Sequence, residues 1–157
     1  MLRIALHAGS RAELRSLFEL AEDSRTALDS YLGHGRVLVA VEGGQTVGHL
    51  QLTETAGPGE AEIKNMAVLA SHRRRGVGRA LIARAIELAR EESRHTLLVA
   101  TAAADVGNLR FYQQVGFRMR SIERDAFTPA TGYPHEIRID GIELRDRVWL
   151  DLPLTSS

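Results

Sequence analysis

The 157-residue sequence predicts an α/β fold in which helices pack on a mixed β-sheet. Two observations lead to this prediction. Short apolar and β-branched runs, typical of strands, are interspersed with amphipathic segments of helical period. The hydrophobic fraction of 44% and the charged fraction of 25% are those of an ordinary globular protein, so intrinsic disorder is not expected. A chain of this length indicates one domain, residues 1–157.

The first half of the chain contains a strand, two helical segments and a strand meander. Ser10 stands three residues before Glu13, the spacing of a capping box, and marks the start of the first helix. Gly43-Gly44 lies between two apolar runs and predicts a hairpin turn. The predicted elements are a strand over 2–6, helices over about 11–23 and 27–32, and strands over 37–41, 46–53 and 61–69.

The second half begins with a long amphipathic helix. Asp105 or Asn108 can cap the helix that follows, and Gly116 stands where a C-cap glycine is expected. Asp140-Gly141 predicts a second hairpin. The predicted elements are helices over 76–93 and up to residue 115, and strands over 96–101, 117–122 and 147–152; residues 155–157 are expected to fray.

Charge and composition exclude several classes of function. The 20 basic and 20 acidic residues give a formal net charge of zero, so binding to nucleic acid through phosphate charge is not expected. The chain has no cysteine, and its six histidines lack metal-ligand spacing, so we expect no disulfide, no cysteine nucleophile and no metal. No apolar run approaches the ~20 residues of a membrane span and no export leader opens the sequence, which predicts a cytoplasmic protein.

The segment from Val68 to Ala80 carries the strongest functional signal. It lies between a predicted buried strand and a long helix, and Gly76 and Gly78 allow a tight turn that leaves no side chain over the backbone N–H groups. The first turn of a helix presents unpaired N–H donors and a positive dipole end, so this place suits a pyrophosphate. Positive charge is added by Arg73, Arg74, Arg75 and Arg79.

Two common phosphate-binding motifs do not fit this segment. A P-loop requires Lys-Ser or Lys-Thr where this chain has Arg79-Ala80, and the dinucleotide fingerprint fails at Leu81. The pattern Arg73-x-x-Gly76-x-Gly78 instead resembles the coenzyme A turn of the GNAT superfamily of N-acetyltransferases. Taken alone, the same residues also fit a solvated charged face followed by an ordinary loop.

A second pattern downstream strengthens the resemblance. Tyr112-x-x-x-Gly116-Phe117 is similar to the second signature of the superfamily, which often has Asn seven residues before the tyrosine, where this chain has Asp105. Asn108 lies four residues before Tyr112 and shares its helical face.

The order of the predicted elements also agrees with the superfamily. Strand, glycine turn, helix, strand, helix and strand follow one another over residues 61–122. The resemblance implies a GNAT-like acyl-CoA N-acyltransferase fold, with a mostly antiparallel twisted sheet that splays between strands 4 and 5 and about four flanking helices.

The resemblance further implies that acetyl-CoA is a co-substrate whose acetyl group passes by direct attack to a primary amine of a small molecule or peptide. Backbone groups of Met66 and Val68 would hold the thioester and the pantetheine amides, and N–H groups from residue 73 to residue 80 would hold the pyrophosphate. Asn108 would bond the pantetheine unless it caps its helix. The predicted cofactor-binding residues are Met66, Ala67, Val68, Arg73, Arg74, Arg75, Gly76, Val77, Gly78, Arg79, Ala80, Asn108 and Phe111.

Tyr112 and Glu62 are the predicted catalytic residues. Tyr112 would donate its phenolic proton to the departing thiolate, although a core aromatic is the other interpretation. Glu62 lies on the strand that would line the acetyl site and would take a proton from the attacking ammonium through a water. Even spacing places Glu62 on the strand face of Val68 unless a bulge intervenes, and Glu54 on the neighbouring strand is the alternative base.

The resemblance places the acceptor site in two segments without a fixed motif, residues about 20–35 and 123–141. The loop Phe127–Pro134 would be a lid over this site. For Trp149 we expect a position in the core or an interface, and a place in the wall of the substrate pocket is the alternative. The carboxylates that would attract a cationic amine are Asp23, Asp29, Asp125 and Glu136.

Two other functions stay open at this point. The scaffold would also serve as a coenzyme A-binding regulatory module without turnover, or as a transferase for another acyl-CoA. A nucleic-acid binder based on His72–Arg75 is disfavoured because aromatic residues do not interleave that run. No membrane partner is expected, and the resemblance suggests a homodimer through the last strands.

Overall fold

The computed structural model describes residues 1–154, so the expected fraying of residues 155–157 lies outside it. Its strands are β1 Arg3–Leu6, β2 Arg36–Glu42, β3 Gln45–Glu54, β4 Glu60–Val68, β5 Thr96–Ala102, β6 Arg118–Glu123, β7 Arg138–Ile139, β8 Ile142–Glu143 and β9 Arg147–Pro153. Seven of them form one sheet in the order β1-β2-β3-β4-β5-β9-β6, and β7 pairs with β8 in a separate hairpin. The predicted α/β class with a mixed sheet is confirmed. The single domain over residues 1–157 stays a prediction.

Four helices flank the sheet: α1 Arg15–Glu19, α2 Arg25–Tyr31, α3 Val77–Glu91 and α4 Val106–Gln114. Helices α1 and α2 cover one face through a cluster that contains Leu17, Phe18 and Leu28. Helices α3 and α4 cover the other face through a larger core that contains Leu81 and Tyr112. None of these helices is both long and apolar enough to span a lipid bilayer.

The first helix differs from the prediction over residues 11–23. Residues Arg11–Leu14 form a 3₁₀ turn, and the α-helix is confined to Arg15–Glu19. The capping box does not form, because Ser10 Oγ accepts from the Ala12 N–H at 3.2 Å and the Glu13 carboxylate lies 3.5 Å from His7 Nε2. The helix ends early in bonds of 3₁₀ type from the Leu20 and Ala21 N–H groups to the Leu17 and Phe18 carbonyls, and Asn65 Nδ2 also donates to the Phe18 carbonyl at 3.2 Å.

The central feature of the sheet is a gap between β4 and β5. These are its parallel neighbours, and their pairing runs only from Glu60 opposite Thr96 to Ile63 opposite Val99. Beyond that point β4 continues for five residues and β5 for three residues without a cross-strand partner in each other. Parallel strands that stop pairing leave backbone groups along the opening, as the resemblance implied for strands 4 and 5.

A β-bulge at Lys64 lies at the start of this gap. Gln51 of β3 pairs with Asn65 and Leu52 pairs with Ile63, so Lys64 has no partner in the ladder. The bulge resets the alternation of side chains: Ile63 and Met66 both pack against the core beneath α3, whereas Asn65 faces α1. The bulge that the sequence analysis allowed for is present, and Val68 packs against the same core as Ile63, so Glu62 and Val68 lie on opposite faces.

Candidate active site

A cavity of about 920 Å³ occupies the gap between β4 and β5. We call its two ends the turn end and the loop end. The turn end is lined by the end of β4, the start of α3 and one face of α4. The loop end is lined by Glu62, Lys64, residues 20–23, Tyr31, β9 and the long loop between β6 and β9. The two segments predicted for an acceptor site therefore both reach this cavity.

The turn end is formed by local backbone geometry that suits an anion. After β4 the chain makes a 3₁₀ turn at Ala70–His72, and both Arg74 (φ 63°) and Gly76 (φ 81°) have left-handed backbone conformations. Within residues 1–154, the N–H groups of residues 74–79 donate no hydrogen bond, since the first helical bond runs from the Ala80 N–H to the Gly76 carbonyl at 3.0 Å. These six neighbouring donors lie at the positive end of α3, and all of their residues except Arg75 line the cavity.

Three residues of the predicted phosphate set do not contribute to this turn in the way expected: the backbone N–H groups of Ala80 and Arg73, and the side chain of Arg75. The Ala80 N–H is used within the helix, so it is not one of the free donors, and the Arg73 N–H donates to the Ala70 carbonyl at 3.4 Å. The Arg75 side chain turns away toward Glu42, with Nη1 3.9 Å from Oε1. Arginine side chains line the cavity at Arg73, Arg74 and Arg79.

Gly76 and Gly78 serve different purposes. Gly76 provides the left-handed backbone, and a Cβ there would meet no atom within 4 Å. A Cβ on Gly78 would lie 3.2 Å from Phe111 Cζ, so this glycine is required by the contact between α3 and α4. A side chain at Gly78 would thus point to Phe111, which also lines the cavity, and the expectation that Gly78 keeps the N–H groups uncovered stays a prediction.

Tyr112 lies on α4 beneath the cavity. Its side chain is 5% exposed and packs edge-on against Phe111 and Phe117, with ring centroids 5.4 and 5.7 Å away. Its hydroxyl has no hydrogen-bond partner in residues 1–154, although the residue lines the cavity. Burial raises the pKa of Tyr112, and the charge of Asp105 adds to the effect, so the phenol is protonated at neutral pH.

Asn108 is not the cap of α4. Asp105 is, because its Oδ1 accepts the Asn108 N–H at 3.0 Å. The Asn108 side chain instead lines the cavity and reaches Thr101 Oγ1 of β5 at 3.4 Å. The helix-cap interpretation of its side chain is thus wrong.

Glu62 stands on β4 just before the gap, opposite Thr53 of β3 and Leu98 of β5. Burial raises the pKa of the Glu62 carboxyl above its ordinary value, and the positive charges of Lys64 and Arg147 oppose the shift. Glu54, the alternative base, is exposed and lies 2.9 Å from Arg94 Nη2, away from the cavity. Glu62 is the carboxylate at the start of the gap.

A hydrogen-bond network holds the walls of the loop end together. Glu22 accepts from the hydroxyl of Tyr31 at 2.9 Å and from the hydroxyl of Tyr133 at 2.7 Å. Tyr31 in turn accepts from Asn65 Nδ2 at 3.0 Å, and Asn65 Oδ1 lies 2.7 Å from the buried His49. The predicted acceptor segments contain Glu22, Tyr31 and Tyr133, but sequence reasoning missed the network itself together with Asn65 and His49, because its members come from distant segments and share no motif.

The predicted acceptor residues lie in different places, and only some of them line the cavity. Asp23 lines the loop end, and burial raises its pKa with help from Glu22. Asp29 and Asp125 pair with Arg15 and Arg145 at the surface, and Trp149 lines the cavity wall. The cavity-lining residues Lys64, Arg138 and Arg147 were not predicted for this site.

The described residues contain no group of three or more His, Asp or Glu side chains that could hold a metal ion. The cavity is therefore lined at one end by the turn with its free N–H groups, and by a buried carboxylate and a neutral phenol where the sheet opens. This arrangement suits transfer of a group from a phosphate-bearing donor.

Comparison with known proteins identifies the family. Residues 6–117 match the model of the Acetyltransferase (GNAT) family. The uncharacterized N-acetyltransferase YvbK of Bacillus subtilis (strain 168) is 35% identical over 153 residues, which cover 96% of this chain and 97% of that protein. The chain belongs to the GNAT acetyltransferase family and is an acetyl-CoA-dependent acyltransferase.

Solved structures agree in fold. A Bacillus subtilis acetyltransferase in complex with CoA superposes with a TM-score of 0.89 at 35% identity, covering 99% of this chain and 100% of that one. A GNAT family acetyltransferase from Elizabethkingia anophelis with acetyl-CoA bound has a TM-score of 0.87 at 29% identity, covering 97% of both chains. The resemblance inferred from the turn and the tyrosine motif is confirmed.

Proposed function

We propose that the protein transfers the acetyl group of acetyl-CoA to the primary amine of a small molecule or peptide by direct attack. The observation that supports this most directly is that one cavity is lined at one end by the turn with its free N–H groups and at the gap by Glu62 and Tyr112. Relatives with bound CoA or acetyl-CoA support the donor.

The residues fit such a donor along the whole gap. The N–H groups of residues 74–79 and the side chains of Arg73, Arg74 and Arg79 would hold the pyrophosphate. The unpaired edge of β4 from Met66 through Val68 would bond the pantetheine amides in the manner of an added strand. Asn108 would add a side-chain amide from α4.

Glu62 would act as the general base. A carboxyl whose pKa is raised by burial accepts a proton more readily from an ammonium, directly or through a water. The freed amine nitrogen then forms a bond to the thioester carbon, and the bond between that carbon and sulfur breaks. One proton of the ammonium leaves to Glu62, and the second proton, which the nitrogen loses as it becomes an amide, restores the phenol of Tyr112 after Tyr112 has protonated the sulfur.

Tyr112 would act as the general acid. Its phenol holds one proton, has no competing hydrogen-bond acceptor in residues 1–154, and can donate that proton to the departing sulfur. Both proton transfers are thereby assigned to side chains that flank the gap. A module that only binds coenzyme A has no need for a buried acid and base at this position.

Release of free thiol from a panel of acyl-CoAs and amines tests the proposal. We expect release to require both acetyl-CoA and a primary amine, and to be slower with longer acyl chains. A homodimer and a cytoplasmic location stay predictions. Tight binding of acetyl-CoA without thiol release from any amine would instead identify a binding module.

A further inference from the structure

Lys64 is the only lysine among the 20 basic residues of the chain; the other 19 are arginines. It is also the residue that the β4 bulge inserts into the ladder, and it lines the loop end of the cavity. Bulges beside active sites re-aim a side chain. The one ammonium side chain of this protein is thus directed to the space next to Glu62.

The surroundings of Lys64 leave its charge available. Its Nζ lies over the ring of Tyr31, 4.9 Å from the centroid, and within residues 1–154 it forms no ion pair. Tyr31 is itself fixed by Asn65 and Glu22, so the ring supports the ammonium from one side. Lys64 also lines the cavity.

A second cation faces the same space from β9. The guanidinium of Arg147 lies over the Phe127 ring, 4.7 Å from the centroid, and Nη1 is 3.3 Å from Glu123 Oε1. Glu123 also accepts from Trp149 Nε1 at 3.1 Å, so its charge is shared between two donors. Lys64 and Arg147 are the two cations whose positive charge opposes the rise of the Glu62 pKa that burial causes.

Of these two cations, Arg147 forms an ion pair with Glu123, whereas Lys64 forms none within residues 1–154. Glu22 already accepts three hydrogen bonds, from the two tyrosine hydroxyls and from the Ser24 N–H at 3.2 Å. Asp23 has a pKa raised by burial. A plain ammonium that approaches Glu62 therefore meets the unpaired positive charge of Lys64, whereas an acceptor with its own negative charge is attracted by it.

We propose that Lys64 and Arg147 form a subsite for an anionic group that the acceptor carries beside its amine, so that the enzyme acetylates amino acids or related amines with a carboxylate or phosphate. This inference rests on the proposed N-acetyltransferase function. In the bound acceptor the ammonium faces Glu62 and the anionic group faces Lys64. The wall of Phe127, Tyr133 and Trp149 suits an aromatic or apolar side group.

Matched acceptors test the charge requirement directly. Phenylalanine, phenylalaninamide and phenethylamine share one aromatic body and differ in the group beside the amine; the aminophosphonic analogue of phenylalanine distinguishes phosphate from carboxylate recognition. We expect kcat/KM to be about 10-fold or more higher for an anionic acceptor than for the neutral ones, the range of a hydrogen bond between charged groups.

Variants show whether Lys64 is responsible. Lys64→Met should abolish the preference by raising KM for the anionic acceptor while KM for acetyl-CoA stays the same, and Lys64→Arg should restore part of it. Arg118→Met, which removes a charge from the exposed strand β6, is the matched control and should change nothing. An equal loss for all acceptors in Lys64→Met, or a wild-type preference for phenethylamine, overturns the subsite.

Product binding separates this inference from the proposed function. Calorimetry with N-acetylphenylalanine and N-acetylphenethylamine requires no turnover. Binding of the acid that weakens about 10-fold in Lys64→Met supports the subsite even in a protein that releases no thiol. Equal binding of both products in the wild type refutes the subsite even in an active enzyme.

Discussion

Acid should destabilise this protein through His49, a histidine with 0% exposure between α1 and the sheet. Its Nε2–H donates to Asn65 Oδ1 at 2.7 Å, its ring stacks on Phe18 with centroids 4.3 Å apart, and its Nδ1 has no partner in residues 1–154. Burial lowers the pKa of His49 to about 4, although the bond to Asn65 opposes the shift. The unfolded chain therefore binds a proton at this residue more readily than the folded chain does.

The magnitude follows from the two pKa values. With about 6.5 in the unfolded chain and about 4 in the folded one, the stability contributed by neutral His49 is fully present above pH 6.5. It is lost as the pH falls from there through 4. The loss is about 2 kcal/mol at pH 5 and approaches about 3 kcal/mol below pH 4. This is a large part of the ~5–15 kcal/mol by which domains are stable.

Urea unfolding at pH 8 and pH 5 measures the effect. His49→Gln places an amide N–H near Nε2 and keeps a donor for Asn65 without a titrating group, so its free energy of unfolding should fall by about 2 kcal/mol less than that of the wild type. His135→Gln, at an exposed histidine, is the control and should follow the wild type. Equal losses in the wild type and in His49→Gln would refute the reasoning.

Three further substitutions test the proposed chemistry. Tyr112→Phe should keep acetyl-CoA affinity while kcat falls by about 10²- to 10⁴-fold, and full activity would remove it as the acid. Glu62→Gln should flatten the acidic limb of the pH–rate profile, which in the wild type lies above the ordinary glutamate pKa because burial raises it; an unchanged limb would point to another base. Gly78→Ala should cost about 1–3 kcal/mol of stability by crowding Phe111, and Phe111→Leu should relieve that cost in a double-mutant cycle; additive losses would contradict the contact.

Local patterns in the sequence predict much of the fold. The Gly43-Gly44 and Asp140-Gly141 turns appear where positive φ angles were expected, from 50° to 82°, because those conformations depend on the glycines and their neighbours alone. The turn before α3 and the tyrosine of α4 were found for the same reason. The first helix was overestimated, because it ends early in bonds of 3₁₀ type and at a contact with Asn65, which is distant in sequence.

The contacts within the loop end, unlike the segments that form it, could not be predicted from the sequence. Tyr133 and Glu22 are 111 residues apart, and their contact exists only after both segments fold over the sheet. The bulge at Lys64 depends on the register between β3 and β4, and a single inserted residue reverses which side chains face the cavity. Periodicity within one strand contains no information on that register.

The bulge in β4 lies between the two ends of the cavity and determines which side chains each end receives. Without the bulge, Asn65 would lie on the sheet face opposite to the one it now occupies, and it would lose its bonds to His49 and Tyr31. Tyr31 would then lose the donor that fixes it beneath the Lys64 ammonium. The inserted residue keeps Glu62 on the face of α1 and leaves Met66 against the core, with the β4 edge free along the gap. One extra residue in β4 thus separates the proposed acceptor groups from the backbone that would hold the donor.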